Sequence, residues 1–111
     1  MDALTKELQS FLVRLSYDPD LVSHQTEHYL EHLFHLLPVD DEEAVLHYFG
    51  VLGHEQTALD ELAQERGLSP ETMMSKIDES LRKLAVTPEW QMLKTIAGQT
   101  SAEEARKKMY N

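Results

Sequence analysis

The sequence predicts an all-α fold, a small bundle of six to seven helices that contains a helix-turn-helix. Two patterns support this. Apolar residues recur at the three- and four-residue intervals of one helix face, and no segment alternates as a β-strand does. Proline and glycine stand about one helix length apart, where they would begin or end helices. With 111 residues and no cysteine, the chain has the size of one domain that is stabilised without disulfides.

The apolar pattern predicts two helices before residue 39. The first ends at Asp18-Pro19, and its inner face is formed by Leu4, Leu8, Phe11, Leu12 and Leu15. The second is expected from about residue 20 to about residue 37, because Pro38 disfavours helical backbone in the residue before it. Its apolar residues are Val22, Tyr29, Leu30, Leu33, Leu36 and Leu37.

A third helix is expected to begin near Asp40 and to end at Gly50 or Gly53. Asp40 and Glu43 have the spacing of a capping box, in which two side chains satisfy the free N–H groups at a helix start. The apolar residues of this helix are Val45, Leu46 and Phe49.

Residues 57–84 have the pattern of a helix-turn-helix, with helices expected over 58–66 and 70–84. Ala63 is small where two backbones would approach, and Gly67 tolerates the positive φ that ends a helix. Ser69 can cap the second helix, and Pro70 suits its first position because no N–H is needed there. The same spacing occurs in ordinary helical hairpins, so the pattern alone leaves both interpretations open.

Two further helices are predicted after the helix-turn-helix. Pro88 begins one that Gly98 ends, and a capping box from Ser101 to Glu104 begins the last. The expected organisation is therefore an acidic, histidine-lined hairpin (1–39), the helix-turn-helix unit (40–97) and a C-terminal helix (98–111), together forming one compact domain.

The net charge of −10 is concentrated in the first half of the chain. Residues 1–55 hold eleven Asp and Glu against two Lys and Arg, whereas residues 56–111 hold nine against eight. An acidic half repels phosphate and suits a basic protein surface, so nucleic-acid contact is expected only from the second half. The alternative is that the acidic excess serves only solubility.

Four histidines recur along one side of the second predicted helix. They are separated by four, four and three residues, two glutamates lie among them, and the set faces away from the apolar side. We interpret this histidine stripe as a protein interface or as solvated surface, with adventitious zinc or nickel binding as the alternative. Its residues are His24, Glu27, His28, Glu31, His32 and His35. The H-x-x-E-H string at 28–32 lacks the third ligand that a metalloprotease needs, so no metal site is predicted.

Residues 41–90 resemble region four of bacterial RNA polymerase sigma factors. The resemblance rests on Val45-Leu46, on Tyr48-Phe49-Gly50, on the Gly67-Leu68-Ser69 turn and on the closing SLRKL at 80–84. In that family the second helix of the motif reads promoter DNA, and the surrounding helices dock on the polymerase. The resemblance implies DNA contacts by Ser69, Glu71, Thr72, Ser75, Lys76, Arg82 and Lys83.

This chain departs from the family at the start of the recognition helix. Pro70, Thr72, Met74 and Ser75 occupy positions where the family has arginine and glutamine, whose side chains suit the edges of bases. Helix 70–84 carries three acidic and three basic residues, so it lacks the positive charge that supports DNA binding. DNA binding is therefore expected to be weak.

These observations predict a transcription-related regulator that binds promoter DNA, RNA polymerase or both. The alternative is a protein-interaction domain, anti-sigma-like or an adaptor, in which the helix-turn-helix is only a scaffold. No nucleophile-base set or glycine-rich phosphate loop is present, so neither an enzyme nor a cofactor is expected. No signal peptide or membrane span is predicted, so the expected location is the cytoplasm, without a membrane partner. A homodimer formed through the acidic half is left open.

Overall fold

The computed structural model describes residues 2–96, and within that range the regular structure is entirely helical. The helices are α1 (Ala3–Tyr17), a short 3₁₀ turn (Pro19–Leu21), α2 (His24–Phe34), α3 (Val39–Phe49), α4 (Leu59–Glu65) and α5 (Pro70–Ala85). A further helix, α6, begins at residue 88 and continues to residue 96. The predicted small all-α bundle is confirmed. Gly98 and the helix expected after Ser101 lie outside the described residues.

Helix α5 lies at the centre of the bundle and packs against α1, α3 and α4. Its inner side is fully buried at Met73, Ile77 and Leu81. Helix α6 is joined to α1 through Trp90, whose ring lies 5.4 Å from that of Phe11, centroid to centroid. Within residues 2–96, none of the helices combines the length and apolar character needed to cross a bilayer.

Helix α2 is shorter than the sequence pattern predicted at both ends. It begins at His24 because the Ser23 side chain accepts a hydrogen bond from the Thr26 N–H at 3.1 Å, which caps the helix. The residues before it form the separate 3₁₀ turn, and Val22 is extended. The helix ends at Phe34, before the predicted boundary near residue 37.

Several residues that the apolar pattern predicts on inner faces are exposed instead. Leu4, Tyr29 and Leu36 are 40%, 43% and 54% exposed. Two threonines are buried in this part of the chain, and the hydroxyl of each is already bonded to the residue that caps its own helix. The free-energy cost of burying Thr5 and Thr26 is therefore small, because a hydroxyl group that is already hydrogen-bonded loses little interaction energy when it leaves water.

The capping box predicted at Asp40 and Glu43 is wrong. Helix α3 begins at Val39, directly after Pro38, and has no side-chain cap. Asp40 lies inside the first helical turn, where a carboxylate interacts favourably with the positive end of the helix dipole. The helix ends at Gly50, which has a φ of +66°.

The junction between α4 and α5 has the predicted local structure. Gly67 has a φ of +66°, its N–H donates to the Gln64 carbonyl at 3.1 Å, and the Leu68 N–H donates to the Ala63 carbonyl at 2.9 Å. This pair of bonds is the Schellman arrangement that ends many helices. Ser69 then caps α5, as expected. A DNA-binding role for the α4–α5 pair stays a prediction.

Candidate functional site

One side of α5 forms a continuous solvent-exposed surface, here called the α5 face. The residues of this face are separated by one, three or four positions, which places them on the side of α5 opposite the buried Met73 and Ile77. Six of the seven predicted DNA-contacting residues lie on it. The α5 face consists of Glu71, Thr72, Ser75, Lys76, Glu79, Arg82 and Lys83.

The seventh predicted contact, Ser69, is exposed but has a structural role. Its hydroxyl oxygen accepts a hydrogen bond from the Thr72 N–H at 3.2 Å, and its hydroxyl donates to Thr72 Oγ1 at 2.9 Å. Capping therefore occupies the side chains of both residues. A DNA phosphate would have to compete with these local bonds in order to contact either residue.

Two of the three cations on the α5 face lie beside carboxylates of the same chain. Arg82 Nε lies 4.0 Å from Asp2 Oδ2, and Lys83 Nζ lies 3.7 Å from Glu79 Oε1. The Thr5 N–H, the Thr5 hydroxyl and, more weakly, Arg82 lower the pKa of Asp2, which keeps this carboxylate ionised. The contacts are exposed and weak, but each one offsets positive charge that a phosphate backbone would need.

The third cation, Lys76, lines an open groove of about 570 Å³ between the start of α3, the end of α4 and α5. Asp40, Asp41 and Glu65 line the same groove. Arg66 is tied to its own helix, since its Nη1 donates to the Leu62 carbonyl at 3.3 Å and lies 3.6 Å from Glu65. The surroundings of Lys76 are therefore more acidic than basic.

The four histidines of the stripe and Glu31 are exposed, as predicted, whereas Glu27 is half-buried, and the histidines differ in their contacts. His28 Nε2 and His32 Nε2 lie 3.2 Å apart and form a direct imidazole pair. His35 Nδ1 lies 2.9 Å from Glu42 Oε1, which links the end of α2 to α3. Within residues 2–96, no three His, Asp or Glu side chains are arranged so that they could hold a metal ion.

A second histidine pair was missed by the sequence analysis. His47 and His54 lie edge to face, with ring centroids 4.9 Å apart. The His47 Nδ1 lies 2.9 Å from the Glu55 carbonyl, and the His54 Nδ1 lies 3.2 Å from the Leu52 carbonyl. The signal available in the sequence was the pair of glycines between them, at positions 50 and 53, which lets the chain turn back after α3.

An apolar groove between α2 and α6 was also missed. Its volume is about 490 Å³, and the polar residues that line it are His32 and Glu89. The signal available was the spacing of Tyr29, Leu33 and Leu36, which puts three apolar residues on one side of the helix predicted over about 20 to 37. The apolar residues that line the groove are Tyr29, Leu33, Leu36, Met92, Leu93 and Ile96.

No protein-family model matches the chain, and neither a curated protein nor a solved structure is significantly similar to it. The functional proposal accordingly depends on the residues and surfaces of the chain itself.

Proposed function

We propose that this protein is a transcription-related regulator, a binding protein without enzymatic activity, that uses the α5 face to contact RNA polymerase, promoter DNA or both. The observation that carries the proposal is the α4–α5 pair. A left-handed glycine and a capped, proline-initiated helix of 16 residues place the α5 face in solvent along its whole length. A helix that enters a groove of DNA or of a protein must present such an unobstructed side. Polymerase and promoters are cytoplasmic in bacteria, so the proposal includes a cytoplasmic location.

Of the two targets, the charge of the α5 face favours a protein. The acidic Glu71 and Glu79 stand among its cations, and Arg82 and Lys83 lie near carboxylates of the chain. Each phosphate contact contributes a slope of about −0.9 to the dependence of log K on log salt concentration. At most three cations on this face can provide such contacts, so DNA binding by the chain alone should be weak, with a shallow dependence on salt.

A second candidate function is a protein-interaction domain, anti-sigma-like or an adaptor, in which α4 and α5 serve as scaffold. The observation that favours it is the acidic half of the chain. Residues 1–55 carry an excess of nine negative charges, and Asp40, Asp41 and Glu42 lie together in the first turn of α3. A surface of this kind complements a basic protein and accelerates its association.

The test is binding of the full chain to purified bacterial RNA polymerase, by biolayer interferometry, and to a labelled promoter duplex, by fluorescence anisotropy. Ser75→Glu places a negative charge in the middle of the α5 face. Ser10→Glu is the matched control, because Ser10 is an exposed helical serine on α1. We expect Ser75→Glu to weaken binding about tenfold, a cost of about 1.4 kcal/mol, and Ser10→Glu to leave it unchanged.

Equal behaviour of the two serine variants would contradict a role for the α5 face, as would a wild-type protein that binds neither target. Polymerase binding that survives Ser75→Glu, but is lost when His24, His28, His32 and His35 are all replaced by Gln, would favour the second candidate.

A further inference from the structure

The groove between α2 and α6 has buried apolar residues at its floor and exposed ones along its sides. Leu33 and Leu93 are 1% and 4% exposed and belong to the core. Above them, Tyr29 on α2, Leu36 in the turn after α2 and Met92 on α6 are accessible, Met92 to 68%. Isolated exposed apolar residues are ordinary, but several that meet in one concave surface mark a binding site.

The groove has the shape of a site for a helix. Tyr29 and Leu33 lie one turn apart on α2, and Leu36 follows in the turn after the helix, so the three form an apolar row along one side of the groove. Met92 and Leu93 provide the opposite side. Two neighbouring helices that leave an apolar channel between them accept a third helix whose apolar residues have the same spacing.

Charge selects the occupant. Among residues 2–96, the lining includes the carboxylate of Glu89 and no lysine or arginine. Helix α2 likewise contains neither lysine nor arginine, and its Glu27 and Glu31 lie on the side away from the groove. Lys94, the cation of α6, is bonded to Glu7 of α1 at 2.7 Å. Among the described residues, the groove therefore carries the negative charge of Glu89 without a cation beside it, which favours a helix with basic flanks.

A second copy of this chain is a poor occupant for the same reason. Each copy has a net charge of −10, most of it in the half that contains α2, so pairing at the groove would bring like charges together. From the shape and the charge together we infer that the α2–α6 groove binds an amphipathic helix of another protein, one with an apolar stripe flanked by lysine or arginine.

This interaction is separate from the one proposed for the α5 face, because the two surfaces have no residue in common. Leu36→Gln should leave polymerase and DNA binding unchanged, and Ser75→Glu should leave helix binding unchanged. Failure of one proposal is thus distinguishable from failure of the other.

The probe is a labelled peptide of about 18 residues, five helical turns, made of leucine, lysine and alanine with the leucines along one side. A second peptide has the same composition with the leucines spread around the helix, and a third has glutamate in place of lysine. Binding to the full chain is measured by fluorescence anisotropy. We expect the first peptide to bind about tenfold more tightly than either of the others, since it alone combines the apolar stripe with basic flanks.

Variants locate the binding site on the protein. Leu36→Gln and Met92→Gln remove exposed groove residues and should each weaken binding about tenfold. The matched control is Val39→Gln, since Val39 is 67% exposed and does not line the groove. Glu89→Gln should weaken binding less and reduce its sensitivity to salt. Melting temperatures of all variants show that each one folds.

Four results would overturn the inference. Equal binding of the two lysine peptides would indicate general attraction to an acidic protein, and an equal effect of Val39→Gln would place the site elsewhere. Sedimentation of the wild type as a dimer that Leu36→Gln dissociates would identify a second copy as the occupant. In the free protein, nuclear Overhauser contacts from residues 97–111 to Leu36 and Met92 would identify the chain's own segment.

Discussion

The two glycines that end α3 and α4 allow the local geometry to be tested quantitatively. Gly50 and Gly67 both have a φ of +66°, so alanine at either position is forced into the left-handed region. Their surroundings differ. A Cβ on Gly67 would meet no atom within 4 Å, whereas a Cβ on Gly50 would lie 2.7 Å from Gln56 Cβ and 3.0 Å from Gln56 Cα. The pair separates the cost of backbone conformation from the cost of collision.

The expected cost of Gly67→Ala is conformational only. Left-handed backbone costs an L-residue about 1–2 kcal/mol, and the lower entropy of the unfolded alanine chain offsets about 0.4–1 kcal/mol of this. The net destabilisation should be about 1 kcal/mol. Gly50→Ala carries the same cost plus that of overpacking, typically about 1–3 kcal/mol. The backbone at Gln56 is poorly able to move away, because the next residue, Thr57, donates its N–H to the His47 carbonyl at 2.8 Å.

The measurement is urea unfolding of the wild type and both variants, followed by far-ultraviolet circular dichroism. Gly50→Ala should be less stable than Gly67→Ala by about 2 kcal/mol, and Gly67→Asn should recover part of the loss because asparagine tolerates left-handed backbone. In melting temperature, each kcal/mol corresponds to about 4–8 °C for a domain of this size. Equal destabilisation by the two alanines would refute the collision at Gln56, and a fully stable Gly67→Ala would refute the left-handed turn.

Two further predictions concern Trp90 and Asp2. Trp90→Ala should destabilise by about 3–5 kcal/mol, and Trp90→Phe by clearly less. Phenylalanine keeps a ring against Phe11 and removes an indole N–H that is buried without a hydrogen-bond partner among residues 2–96. Equal losses of unfolding free energy in the two Trp90 variants, measured by urea unfolding, would contradict this. Hydrogen bonds from Thr5 lower the pKa of Asp2 in the folded state. The ionised Asp2 therefore stabilises the fold above the ordinary aspartate pKa of about 3.9, and this stabilisation is lost as the pH falls through the lower folded-state pKa. Melting temperatures between about pH 2 and pH 5 should therefore fall more steeply for wild type than for Asp2→Asn, and superimposable profiles would show that Asp2 does not contribute in this way.

The sequence predicted the α4–α5 junction correctly because every interaction in it is local. Gly67 and Ser69 act on backbone groups within a few residues of themselves, so their chemistry is readable without knowledge of the rest of the fold. The same locality accounts for the end of α1 before Pro19 and for the end of α3 at Gly50. The error at Asp40 is local as well, because helix α3 already begins beside Pro38 and leaves the aspartate inside its first turn.

The candidate surfaces also combine features that helix periodicity predicts with contacts between distant residues that it does not predict. Periodicity placed the α5 face and the histidine stripe in solvent, since a regular helix with one apolar side has a polar side opposite. It did not show that Arg82 approaches Asp2, 80 positions earlier in the chain, nor that His47 meets His54 across a turn.

By itself, then, the sequence determined the helices, most of their ends and the side that each presents to the core. Only the tertiary structure decided how much of each apolar side is covered. Tyr29 and Leu36 have the spacing of core residues, yet α6 lies beside them and leaves a groove open. The physical reason is that hydrophobic spacing fixes the direction in which a side chain leaves its helix, whereas burial depends on which distant helix packs against it and how closely.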